Sequence, residues 1–292
     1  MTTFLQLTAN GAGRGAVYAL LALGFVIIFR ATGVENFAHG SFLLLGGYLG
    51  YLAYDIGGFP AAVVVAIVSA ALGGLLVDRL LISRTRFADP ISLALLTIGV
   101  DVVVTEEITR RIGIDAPFLP NPWAGSVLHL GEVTLVVGHL VALATSAVLI
   151  GGLLAALHLT GWGLSMRAQA ENREAATLMG IRNGHITGSA WLVAGALAGV
   201  AVLFVATQDF SGAGVSRSTH AMALVAFPAA IIGGLDSVFG AVVGGALVGL
   251  TEAYASEYLS FDFSKSAVYL VMLIVLVALP AGLFGSREVH RA

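Results

Sequence analysis

The sequence predicts an all-α, polytopic transmembrane helical bundle of about eight or nine membrane segments, two of them broken or re-entrant. Of its 292 residues 58% are hydrophobic and only 11% are charged, against roughly 25% charged in soluble domains. Phe59–Val77, Thr134–Leu157, Ile186–Thr207 and Ala267–Phe284 contain no Asp, Glu, Lys or Arg. A bilayer core of roughly 30 Å needs about 20 residues at 1.5 Å each, so such runs read as spans. They also lack the strict apolar/polar alternation of short barrel strands.

Along the chain, the first apolar run is Gly15–Phe29. Arg14 is the first basic residue, and no basic region precedes that run, so a signal peptide is a poor reading and the N-terminus is expected to be retained. The segment Glu35–Gly40, ENFAHG, then separates it from a second run, Ser41–Tyr54. Pro90 to about Thr109 forms a further crossing, followed by the Pro-rich FLPNPW linker of Phe118–Trp123. Ala221–Leu235 is the second interrupted element, with Pro228 beside Gly233 and Gly234. Broken helices at membrane depth survive only where buried in protein or lining a watery cavity. Both are therefore candidate pathway elements. One lies in each half, each followed by a glycine-rich helix, which suggests an internal duplication of the transporter kind.

Short cytoplasmic loops collect Lys and Arg. Arg79, Arg84 and Arg86 form one cluster, Arg167, Arg173 and Arg182 a second, and Arg287 and Arg291 a third. All three are placed in the cytoplasm, with the C-terminus there and the FLPNPW linker outside. Gly46/Gly50, Gly195/Gly199, Gly240/Gly244 and Gly245/Gly249 each lie four apart, which puts small residues on one helix face for close approach. They serve packing within the chain or, in the sharper alternative, a dimer interface.

The polar island Met166–Gly184, MRAQAENREAATLMGIRNG, stands between two long uncharged runs. On a helix, Glu174, Ala175 and Ala176 open a turn, Leu178 and Met179 supply an apolar contact, and Gly180 permits a left-handed ending before Ile181. Such a helix is either a solvated loop element or a piece that docks in another protein's groove. Residues 1–292 read as one transmembrane domain, with a cytoplasmic loop over about 161–185.

The acids and histidines are scattered. Asn36 and His39 either line a path or satisfy backbone groups freed at the break. Asp101 is a candidate pathway acid, since an acid inside a span is costly and often functional. Glu106 and Glu107 are expected at the interface, with Arg110 as the i, i+4 partner of Glu106. His139 and His158 are read as interfacial, and Asp236 as a turn residue or a cap for the helix near Val238. No metal spacing or catalytic triad can be defended, and cysteine is absent. Nothing points to nucleic acid.

Glu-Ala-Ala, three residues, then Gly is similar to the cytoplasmic coupling motif of bacterial ABC importer permeases. Gly15–Tyr51 with NFAHG, Gly161–Ile181, and Ala226–Tyr254 with IGGLDSVFGAVVGG resemble the high-affinity branched-chain amino acid permease family, of LivH type in particular. The resemblance runs in register over nearly the whole chain. Pro228 and the Arg30–Ala31–Thr32 junction depart from the family pattern.

The resemblance implies a non-catalytic permease subunit in the bacterial cytoplasmic (inner) membrane that imports branched-chain or related amino acids. Its implied partners are two ABC ATPase subunits, a second related permease or a second copy of itself, and an extracytoplasmic substrate-binding protein. The coupling set is Glu174, Ala175, Ala176, Leu178, Met179, Gly180 and Ile181; the pathway set is Asn36, Phe37, His39, Asp101 and Pro228. No cofactor is expected, because partner subunits bind the ATP. Consistently, Lys265 is the one lysine and no Gly-x-x-x-x-Gly-Lys-Ser/Thr loop is present. The alternatives are an ion-coupled secondary transporter, which leaves the island without a task, and a permease of the same family for urea or short-chain amides.

Overall fold

The computed structural model describes residues 2–85, 89–114, 116–131, 133–210 and 214–286. Its helices are α1 (Thr2–Thr32), α2 (His39–Leu80), α3 (Pro90–Ile112), α4 (Val137–Leu159), α5 (Gly161–Glu171), α6 (Arg173–Leu178), α7 (Asn183–Val205), α8 (Arg217–Gly233), α9 (Val238–Tyr258) and α10 (Phe261–Ala278). The all-α expectation needs one correction. Val127–Leu130 (β1) and Val133–Val136 (β2) pair antiparallel ahead of α4, so the apolar run beginning at Thr134 starts as a strand and turns helical only at Val137.

Among the described residues six helices are long and apolar enough to cross a membrane: α1, α2, α4, α7, α9 and α10. The 23-residue α3 carries Asp101, Glu106 and Glu107. The 17-residue α8 spans only about 26 Å at 1.5 Å per residue. The 42-residue α2 is itself bent: Gly57 and Gly58 leave the helical region, Gly58 at φ 65°. Its arms fold back on one another, because a Cβ on Gly46 would lie 2.9 Å from the Ala66 carbonyl and one on Gly50 3.1 Å from that of Ala62.

Helices α1 and α7 are the most enclosed of these six, each with 78% of its apolar window buried, and the glycines explain how neighbours reach them. A Cβ on Gly245 would strike Ala19, and one on Gly249 would strike Gly15, which brings α9 antiparallel onto α1. Gly195 faces Ala70 and Gly199 faces Ala66, seating α7 on the second arm of α2 in the same way. Gly240 and Gly244 meet Gly233 and Ala229 of α8. All eight spaced glycines thus serve packing within the chain, as small residues do where lipid gives helices no hydrophobic reason to associate.

Two sequence expectations change at the second interrupted element. Pro228 does not break α8, which continues to Gly233. Proline removes the hydrogen bond to the carbonyl four residues earlier, here Leu224, and the Tyr269 hydroxyl of α10 donates to that carbonyl at 3.2 Å. The chain instead turns at Gly234, φ 103°. Asp236 is not the cap of α9: Ser237 accepts from Gly240 N–H at 3.0 Å, while Asp236 accepts from the Ser286 backbone N–H at 2.8 Å and from its hydroxyl. Leu283 and Phe284 donate to the carbonyls of Ile232 and Gly233, closing the end of α8.

The arginine loops gather at one end. Arg79 lies against Gly188, and Arg30, Arg167 and Arg173 share a cavity with Asp236 and Ser286; Arg86, Arg287 and Arg291 lie outside the described residues. At the other end the FLPNPW linker packs through Trp123 on Phe59 and Phe204, ring centroids 5.2 and 6.0 Å away. Leu119 donates there to the Ala206 carbonyl. Glu106 pairs with Arg217, not with Arg110; Arg110 and Arg111 both grip Glu107, at 2.9 and 2.6 Å.

Two glycine substitutions should behave oppositely. Gly195→Leu forces a side chain into Ala70 and should destabilise the fold by about 1–3 kcal/mol or more, as overpacking does. Gly99→Ala meets nothing within 4 Å and should be neutral or stabilising by up to about 1 kcal/mol through helix propensity. Thermal unfolding in detergent, followed by tryptophan fluorescence, reads both.

Candidate functional site

The polar island folds as two short helices with a turn at Asn172. Thr160 caps α5 by accepting from Gly163 N–H at 3.3 Å, and Asn172 caps α6 by accepting from Ala175 N–H at 2.9 Å. These side chains satisfy donors that a helix start leaves orphaned. At the other end Ile181 N–H reaches the Ala176 carbonyl and Gly180 N–H that of Thr177, both at 3.0 Å, with Gly180 at φ 86°. That paired pattern is the Schellman ending, which favours glycine at its left-handed position.

The capped helix is held firmly and presented outward. Ala176 is buried and Ile181 is half-buried against the core. Glu174 and Ala175 are exposed, while Leu178 and Met179 are 89% and 84% exposed. Four side-chain bonds fix the segment to the bundle. Gln169 Nε2 donates to the Ala31 carbonyl at the end of α1 (2.6 Å), and Trp162 Nε1 to Ser189 Oγ of α7 (2.7 Å). Arg167 donates to the Leu157 carbonyl of α4 (2.8 Å), and Asn183 Nδ2 to Thr177 Oγ1 (2.7 Å). The expected coupling set therefore occupies one surface feature, with Ala176 and Ile181 as its root and Glu174, Leu178 and Met179 as its outward face.

The pathway candidates also converge. Residues Gly33–Ala38 leave α1 at Gly33, φ 70°, and climb back beside it before α2 begins. Asn36 Oδ1 accepts Ala38 N–H at 3.0 Å, and Thr97 Oγ1 of α3 accepts Phe37 N–H at 3.0 Å. Asp101 Oδ1 accepts Ser41 N–H at 3.1 Å, and its carboxylate meets His220 Nε2 of α8 at 2.9 Å. One acid thus joins the start of α2, α3 and the start of α8. The Phe227 ring sits 5.6 Å from Phe37 and 5.2 Å from Phe25, so both interrupted elements share one wall. Asp101 and His220 keep 16% and 11% of their side chains exposed.

The individual roles differ from one another. Asn36 satisfies the break, as one sequence reading held. His39 does not: it is fully buried against Gly24, Phe25 and Phe42, and neither ring nitrogen has a partner among the described residues. His139, at the start of α4, is buried with Nδ1 3.2 Å from Asn10 Oδ1; His158 is exposed and bonded to the Leu154 carbonyl.

Two features were missed. His220 sits in a stretch with no periodic signal of its own, and only the fold brings it to Asp101. Tyr18 donates to Glu252 Oε2 at 2.5 Å, with Arg14 3.9 Å from Oε1. That network was more legible, because Arg14 and Tyr18 are i, i+4 neighbours on α1 and Glu252 is an acid within an apolar helix. Among the described residues no group of three or more His, Asp or Glu could hold a metal.

The sequence family described as the permease component of branched-chain amino acid transport systems matches residues 7–279. The chain belongs to that family. It is 28% identical over 310 residues to the high-affinity branched-chain amino acid transport system permease protein LivH of Escherichia coli strain K12, covering 99% of this chain and 97% of the relative. It is 23% identical to BraD, the permease protein of the same kind of system in Pseudomonas aeruginosa, over 99% and 98% of the two chains. A probable branched-chain amino acid transport permease protein LivH of Methanocaldococcus jannaschii is 29% identical over 91% of this chain and 88% of the relative. Among solved structures, the permease shares its fold with a chain of PsaBC from Streptococcus pneumoniae in complex with Fab. There the TM-score is 0.51 at 13% identity, over 94% and 91% of the chains.

Removing the carboxylate that seals the permease's first break should be costly. Asp101→Ala leaves Ser41 N–H and His220 without their acceptor and should lower stability by about 1–3 kcal/mol, the range for an unsatisfied buried donor. Asp101→Asn keeps an acceptor for Ser41 N–H and should lose less. Amide hydrogen exchange at Ser41 distinguishes the two, with faster exchange expected in the alanine variant alone.

Proposed function

We propose that this permease is the membrane subunit of an ATP-driven ABC importer that carries branched-chain or related amino acids into a bacterial cytoplasm. The observation that carries the reading is the doubly capped α6, which is rooted in α1, α4 and α7 through α5 and its flanks and holds Leu178 and Met179 almost wholly in the open. Two ATPase subunits supply the matching grooves and bind the ATP, so this chain needs no cofactor and catalyses nothing itself. A second related permease, or a second copy, completes the membrane unit, and an extracytoplasmic binding protein delivers the substrate.

Closure of the ATPases pushes α6. The push passes through Gln169 to the end of α1 and through Trp162 and Asn183 to α7, the two most enclosed spanning helices. A conformational change follows only if each state binds its partners differently, so the membrane path holds its solute weakly and selectivity sits mostly in the binding protein. Of the pathway set, Phe37 and Asp101 are partly exposed and able to face a solute, while Asn36, His39 and Pro228 shape the wall behind them. Counting both arms of α2 and adding α3 makes eight crossings, and nine with the 17-residue α8, with the arginine-rich end and the C-terminus in the cytoplasm of an inner-membrane protein. The first arm of α2 and α9, each glycine-rich and each following a turn at a left-handed glycine, Gly33 and Gly234, are the repeat-related pair.

Affinity purification of the tagged chain, expressed with its neighbouring genes, tests the coupling. Wild type should retain ATPase subunits; Glu174→Arg should lose them while remaining inserted and monodisperse. Gly180→Val places a β-branched residue at φ 86°, at a local cost of about 1–2 kcal/mol, and should cut ATP-driven leucine uptake several-fold. Purification of wild type free of ATPase would favour an ion-coupled carrier. Uptake of urea or short-chain amides in place of leucine would redirect the substrate within the family.

A further inference from the structure

The arginine-rich end holds a cavity of about 920 Å³ whose walls belong to two different parts of the machine. One wall is the coupling segment, with Arg167, Gln169, Glu171 and Arg173. The other is the bundle, with Arg30 on α1, Asp236 after α8, and apolar Phe29, Ile231, Leu235 and Leu276.

Arg30, half-buried, makes no hydrogen bond or ion pair with any described residue, and Asp236 and Arg167 are its charged neighbours. Gln169 is fixed in the wall, 4% exposed, with its Nε2 bonded to the Ala31 carbonyl. A guanidinium beside a second guanidinium in a partly dehydrated recess favours an anion, and a fork-shaped donor set matches a carboxylate. The Asp236 carboxylate across from them favours an ammonium, and the apolar patch favours an aliphatic side chain.

We propose that this cavity binds the transported amino acid on the cytoplasmic side as a regulatory product site, with the carboxylate at Arg30 and Arg167, the ammonium at Asp236, and the aliphatic chain on Ile231, Leu235 and Leu276. This rests on the substrate class proposed above. A ligand spanning both walls stabilises their present spacing and so resists the movement that α6 transmits. Occupancy on the cytoplasmic side therefore slows the ATPase cycle, a coupling between sites whose size equals the ligand's preference for one state.

The test uses the complete transporter in proteoliposomes, with loaded binding protein sealed in the lumen and ATP outside, so that only complexes with outward-facing ATPases hydrolyse it. Leucine added outside meets the cytoplasmic face, and inhibition is read against each variant's own rate without leucine. Wild type should be inhibited. Arg30→Gln should raise the half-inhibiting leucine concentration by roughly tenfold or more, the scale of one lost charge-assisted interaction. Arg30→Lys should fall between, and Asp236→Asn should also weaken inhibition. Identical inhibition in all four proteins, or none in wild type, overturns the assignment, as does a rate that follows the anionic lipid content of the vesicles and ignores leucine, which would mark a lipid headgroup site. Lumen-to-medium transport of labelled leucine, measured in the same vesicles, separates the two ideas: its absence counts against the proposed substrate, whereas transport with unaltered inhibition counts against the cavity alone.

Discussion

Lipid cannot hydrogen-bond a peptide group, and this constraint organises the molecule. At the first break, at Pro228 and past the end of α8, side chains or distant backbone supply the partners that the helix cannot. At the first break Asn36, Thr97 and Asp101 take the amides of Ala38, Phe37 and Ser41. Within α8 the Tyr269 hydroxyl serves the carbonyl that Pro228 frees, and beyond its end the backbone of Leu283 and Phe284 serves Ile232 and Gly233. Apart from Asn36, two residues from Ala38, each repair reaches across elements far apart in sequence. These sites are consequently the joints at which α2, α3, α8 and α10 are fastened together, and Asp101, which also holds His220, is the most connected of the fasteners.

Around these joints the bundle is built by backbone proximity. Glycines on α7 and α9 let their helices lie against α2 and α1 with carbonyls where side chains would otherwise stand. Close backbone packing gains dispersion and loses little side-chain entropy, the balance that favours small residues at helix contacts in membranes. It also leaves α1 and α7 the most enclosed of the spanning helices. The α5–α6 segment is fastened to both of these helices by hydrogen bonds from Gln169 and Trp162, so its exposed tip is tied directly to the centre of the bundle.

Much of this was legible in the chain. The uncharged runs, the ENFAHG interruption and the position of Gly180 follow from rules that act over a few residues: hydropathy, helix periodicity and the left-handed preference of glycine. Gly180 takes the φ its place after Leu178 and Met179 requires, and the spaced glycines meet neighbours as their spacing implied. What stayed hidden depends on long-range geometry. Pro228 reads locally as a break, and only the distant Tyr269 makes a continuous helix tolerable there. Glu106 reads as the partner of Arg110 until Arg217, 111 residues away, is brought beside it. His220 carries no local signal at all, and the hairpin Val127–Val136 hides because half of it is as apolar as the helix that follows.

The account stands or falls on what touches the tip of α6. The most direct measurement replaces Leu178, and separately Met179, with a photoreactive amino acid in the assembled transporter and identifies the cross-linked species while ATP is being turned over. The account predicts adducts with an ATPase subunit from both positions, their yield changing between the nucleotide-free and ATP-bound states. Adducts only with lipid or with this chain itself, in every nucleotide state, would contradict it.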